Sequence, residues 1–122
     1  MTIDTRLAEI RARVENATPG PWTAEYSGEQ GNCVLPPGYQ STREAVAVTR
    51  LLSAQADAEF IAHARTDLPA LLAAVEAVRE TCTLAIEEFE DPAYEANGYA
   101  LGIVASSRTI LHYLTAALEV QA

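Results

Sequence analysis

At 122 residues and 49% hydrophobic content, the chain is sized for a single domain, residues 1–122, that buries a core without disulfide or metal staples. Its 17 acidic residues outnumber its 8 basic ones, all arginines, and the formal charge of −9 leaves no basic stripe for a phosphate backbone, which argues against direct nucleic-acid binding. No apolar run reaches the roughly 18 residues of a membrane span, and the charged opening MTIDTRLAEIRARVE lacks the apolar core of a secretory signal; a soluble cytoplasmic protein without membrane contact is expected.

Ile3, Leu7, Ile10 and Val14 recur every three to four positions, so the chain opens with an amphipathic helix, with Asp4 or Thr5 available near its start. The segment ATPGPW ends it, because Pro19, Gly20 and Pro21 do not continue a helix, and it delivers Trp22 as a core anchor. WTAEY, a turn at SGEQGN, a short CVL, the break PPGYQ and EAVAVT then read as two or three short antiparallel strands. From Ser53 the pattern returns to a short helix through AQADAEFIAHAR, with Phe60, Ile61 and Ala64 on its inner side. TDLP reads as a fresh start, with Thr66 or Asp67 as cap and Pro69 in the first turn.

A long helix follows to about Glu90, with a heptad-type seam of Leu68, Leu71, Val75, Val78, Cys82, Ala85 and Phe89. After an Asn-Gly loop, a last helix from about Tyr99 places Ile103, Ile110, Leu111, Leu114 and Leu118 on its inner face and turns His112 to water. The fold expected is α+β: mostly helical, with a small antiparallel sheet packed on a long αα-hairpin. Cys33 and Cys82 form no CxxC and read as small buried apolar residues of a reducing compartment.

Catalytic signatures are missing. There is no GxSxG elbow, phosphate-cradling loop, GxGxxG or HExxH, and PPGYQST reads as a turn between strands. His63 has Glu59 one turn before it, Asp67 one turn after it and Asp57 nearby, a set that serves as ligands or as a carboxylate orienting an imidazole. Di-iron bundles use Glu-x-x-His, one residue shorter than EFIAH, and the companion ligands are missing. The plainer account places Asp57 and Glu59 at the positive end of a short helix and His63 and Arg65 at its negative end.

Glu87 and Glu90 satisfy half of the paired ExxE and ExxD pattern of helical nucleotide pyrophosphohydrolases, but the last helix offers only Glu119. No catalytic residue, cofactor or metal is therefore assigned. Glu76, Glu80, Glu87 and Asp91 fall on one side of the long helix, opposite its seam, and form a candidate interaction face. Arg43, Arg50, Glu59 and His63 are the candidate ligand contacts.

ATPGPW and DAEFIAHARTDLPALLAAVE, in this order and spacing, resemble small proteins encoded by phages and prophages of high-GC bacteria, grouped with the Ead-like early phage proteins. The all-arginine, alanine-rich composition fits such a source. The resemblance covers about a quarter of the chain and implies an early-expressed accessory protein, with no catalytic residues to carry over. The function expected is non-enzymatic: binding a host protein in the bacterial cytoplasm, one that is itself basic and binds nucleic acid if the acidic face is the contact. A homodimer is expected from the seam. The alternative is a small-molecule binder that sequesters a signalling nucleotide on Arg43 and Arg50; a metal-dependent hydrolase ranks third.

Overall fold

The computed structural model describes residues 2–28, 31–50 and 54–119. Along the chain run α1 (Ile3–Asn16), β1 (Thr23–Gly28), β2 (Gly31–Leu35), a 3-10 turn (Thr42–Glu44), β3 (Ala47–Val48), α2 (Ala54–Phe89), a second 3-10 turn (Pro92–Tyr94) and α3 (Gly98–Leu118). Helix dominates, the sheet is small, and α2 and α3 form the helical hairpin. Part of the turn expected at SGEQGN, and the helix start expected at Ser53, lie outside the described residues. By packing the chain divides into two compact units, residues 11–71 and residues 1–10 with 72–122.

In the unit Arg11–Leu71, three antiparallel strands lie in the order β1-β2-β3. Ala24 pairs with Val34 and Val34 with Ala47, so one row of small apolar side chains crosses the sheet. Cys33, Val34 and Leu35 are fully buried, as a central strand covered on both faces requires. Val34 packs with Ala58 and Ala62 of α2, flanked by Trp22, Val46 and Ile61. Alanines one turn apart present no bulk, which lets the helix backbone come close to the sheet. Ser41 and Glu44 form a reciprocal capping box that fixes the 3-10 turn ahead of β3. The Thr49 hydroxyl then donates to the Ala54 carbonyl at 2.6 Å, tying β3 to the first turn of α2.

In the other unit, Leu7, Leu72, Cys82, Ala100 and Val104 are buried, with Ser107 among them. The Thr2 hydroxyl, and neither Asp4 nor Thr5, accepts from the helix start at Thr5 N, 3.2 Å away. Asn97 caps α3, its Oδ1 accepting from Tyr99 N at 3.0 Å and Ala100 N at 3.1 Å. Phe89 meets Tyr94 edge to face at 5.2 Å, and Arg108 pairs with Glu90. Arg6 Nε donates to the Leu118 carbonyl at 3.1 Å.

Several expectations are corrected. The helix does not restart at TDLP: α2 is continuous through Pro69. A proline there removes one backbone hydrogen bond, to the Arg65 carbonyl, and burial of Ala58, Ala62, Leu72 and Cys82 along the same helix outweighs that loss. The expected seam of α2 is packed only in part: Cys82 is buried and Val75, Ala85 and Phe89 are half-buried, whereas Leu68, Leu71 and Val78 are exposed and Leu72, outside the seam, is buried. On α3 the buried positions are Ala100, Val104 and Ser107, with Leu111, Leu114 and Leu118 half-buried and Ile110 exposed. In both helices small residues take the closest contact, so a reading that places the largest apolar residues inside is rotated away from the packed face. Cys33 and Cys82 are free and buried, and His112 is exposed, as expected.

Candidate interaction groove on α2

Phe60 departs from expectation as well. It stands 75% exposed rather than in the core. One turn on, Ala64 is half-buried, and Leu68 and Leu71 follow at 44% and 64% exposure. Residues 60 to 71 thus carry an uncovered apolar ridge about 16 Å long at the helical rise of 1.5 Å per residue.

On one flank of this ridge lies a groove of about 230 Å³, lined by Arg13, Val14 and Ala17 of α1, by Trp22, and by Phe60, Ile61, Ala64, Arg65, Leu68 and Pro69 of α2. Its floor is built by the residues after α1. Pro19 and Pro21 prevent helix continuation, the Gly20–Pro21 peptide is cis, and the chain delivers Trp22 beside α2. The Trp22 indole Nε1 donates to the Thr18 carbonyl at 3.1 Å. Arg65 Nε donates to the same oxygen at 2.9 Å, and Arg65 Nη2 reaches the Val14 carbonyl at 3.5 Å. The guanidinium carbon lies 5.9 Å from the Trp22 ring centroid. Arg65 therefore closes the C-terminal end of α1, where unpaired carbonyls gather negative partial charge. A methyl group on Gly20 would meet Arg65 Cγ at 2.8 Å, so glycine is what lets the arginine stem pass.

On the other flank, Glu59, His63 and Asp67 line a second hollow with Phe60, Leu68 and Leu71. The structure brings Glu59 and His63 together, His63 Nε2 to Glu59 Oε2 at 3.2 Å, with His63 largely in solvent and Glu59 half-buried. Among the described residues no group of three or more metal-ligating side chains gathers. Arg50 lines a further hollow with Val48, Thr49, Asp57, Phe60 and Ile61. Arg43 lies in the first 3-10 turn and is not among the residues lining these hollows.

The acidic quartet does not form one uniform face. Glu80 and Glu87 are exposed on α2, Glu76 is half-buried, and Asp91 lies beyond the helix end, where its carboxylate caps the second 3-10 turn by accepting from Ala93 N at 2.8 Å. Trp22 is half-buried: it packs against the core cluster of Val34, Ala58 and Ala62, as expected of an anchor, and also walls the groove. Sequence reasoning missed the groove because it assigned Phe60 and Leu68 to the interior. The available signal was the Ala54, Ala58, Ala62 spacing, which defines a close-packing face that excludes Phe60.

No protein-family model, curated protein or solved structure matches the chain. Among the described residues no helix is long and apolar enough to cross a membrane.

Proposed function

We propose that this is a non-enzymatic phage or prophage accessory protein that works in its bacterial host's cytoplasm by binding a host protein, with the ridge and groove of α2 as the contact surface. One observation carries the reading: Phe60, Leu68 and Leu71, three large apolar side chains in one row, are left in solvent beside an apolar groove. A contiguous exposed apolar patch costs solvation free energy that a docked partner recovers, at roughly 25 cal/mol for each Å² covered. The two motifs behind the phage resemblance support it. ATPGPW supplies Trp22, and DAEFIAHARTDLPALLAAVE supplies Phe60, Arg65, Leu68 and Leu71.

The test is quantitative affinity capture from host cells with the tagged protein and its Phe60→Asp variant. Phe60 is exposed, so the variant keeps the fold, which circular dichroism checks. A host protein recovered in stoichiometric amount with the wild type and lost with Phe60→Asp is the expected result. Identical recoveries would remove the groove from the contact.

A further inference from the structure

The 17 acidic residues outnumber the 8 arginines about two to one. Arg6 pairs with Glu9, Arg79 with Asp4 and Arg108 with Glu90. Arg11 and Arg43 have interactions of their own. Among the described residues, the arginines left without an ion pair are Arg13, Arg50 and Arg65, and all three border the same apolar side chains. Arg13 and Arg65 line the groove with Trp22, Phe60 and Ile61, and Arg50 lines the adjoining hollow with Phe60, Ile61 and the Asp57 carboxylate. Three of the eight arginines, none of them in an ion pair, therefore stand beside the exposed ridge.

We propose that the segment docking here is an amphipathic helix of a partner protein, whose apolar side seats against Phe60 and Trp22 and whose carboxylates reach Arg13, Arg50 and Arg65. The inference rests on the groove being the docking surface. A guanidinium has five N–H donors, and Arg65 directs only its Nε and one Nη2 contact to backbone carbonyls. Its remaining N–H donors are available to a carboxylate. The opposite flank, with Glu59 and Asp67, repels acid. The docking helix is thus acidic on the side toward the three arginines and not on the side toward Glu59 and Asp67.

The ridge length, about three helical turns, suits a helix. A nucleotide fits less well, because the groove lining contains no side-chain amide or hydroxyl to read a base edge, and the one indole N–H is already donated to Thr18.

Trp22 is the only tryptophan, so its emission reports occupancy of the groove. The probes are a fluorescein-labelled amphipathic peptide of about fourteen residues, with Leu and Phe on one face and Glu on the other, its twin with Lys for every Glu, and ATP. A net charge of −9 favours the Lys twin everywhere except at the three arginines, so a preference for Glu must arise locally. The full-length protein is expected to bind the Glu peptide about tenfold more tightly than the Lys twin at low salt, with a shift in Trp22 emission. Arg13→Glu, at an exposed position, should remove the preference.

Equal binding, or preference for the Lys twin, with both signals abolished by Phe60→Asp, would overturn the charge assignment and leave the groove as a docking site. A Trp22 response to ATP alone, or to no probe, would overturn the docking reading as well. A dimer by light scattering that excludes both peptides and dissociates in Phe60→Asp would put a second copy in the groove and equally overturn the proposal.

Discussion

Arg65 and Trp22 share one acceptor: both donate to the Thr18 carbonyl, at 2.9 and 3.1 Å, while the guanidinium lies 5.9 Å from the centroid of the indole. This clamp joins the two sequence motifs and holds one wall of the groove. Its members should be energetically coupled. With Trp22 half-buried, Trp22→Ala should cost about 2 kcal/mol, below the 3–5 of a fully buried aromatic. In urea titrations of the single and double variants, Trp22→Ala and Arg65→Ala should couple by about 0.5–1 kcal/mol. Strict additivity would mean that the stacking contributes nothing.

Gly20 is tested through the same clamp. Gly20→Ala forces its new methyl group against Arg65 Cγ, a position held by the arginine's hydrogen bonds. A cost of about 1–2 kcal/mol is expected in the wild type. In an Arg65→Ala background the substitution should be nearly neutral, because the obstructing atom is gone. The same cost in both backgrounds would trace the effect to the turn itself.

At the start of α3, Asn97 accepts two backbone N–H groups. Asn97→Ala should destabilise the protein by about 1 kcal/mol, the usual loss on removing an N-cap. Asn97→Asp should retain most of it. Thermal denaturation of the three proteins decides the matter, and equal stability of the alanine and wild-type chains would show that water replaces the cap without loss.

Burial, and secondarily the Glu25 carboxylate, push the Cys33 thiol above its ordinary pKa of 9.0. The fold holds the neutral thiol, while the unfolded chain releases its proton first. The unfolded state therefore binds fewer protons above that pH, and stability falls as pH rises from about 9 toward the folded value. Cys33→Ala should flatten this part of the stability profile. An unchanged alkaline slope would assign the loss to other groups. In the native protein, alkylation of both buried cysteines should be slow compared with that in denaturant.

Periodicity and turn chemistry carried the fold class a long way. Leu7 and Val14 on the first helix, the prolines of ATPGPW, the three short strands and the hairpin of α2 with α3 were all legible, because each rests on local chemistry. What was not legible is which stripe of a helix packs. Ala58, Ala62, Ala100 and Ser107 take the packed positions through close backbone approach, which depends on the neighbouring element and leaves little trace in hydrophobicity. The same rotation hid the groove, since Phe60 and Leu68 look like core residues until the alanines are seen to occupy the core. Pro69 misled for a related reason: the loss of a single hydrogen bond is decided by burial elsewhere along the helix. The pairing of Arg65 with Trp22 spans 43 positions of sequence, too far for either motif to announce the other.

The ridge of α2 as the contact surface is tested most directly by photo-crosslinking in host cells, with p-benzoylphenylalanine placed at Phe60 in one variant and at Tyr113 in another. Both side chains are highly exposed, at 75% and 68%, so accessibility alone does not separate them. A discrete adduct of the protein with one host polypeptide is expected at position 60, absent at position 113 and lost when Leu68→Asp is added to the first variant. Adducts confined to position 113, or the same adducts at both positions, would contradict it.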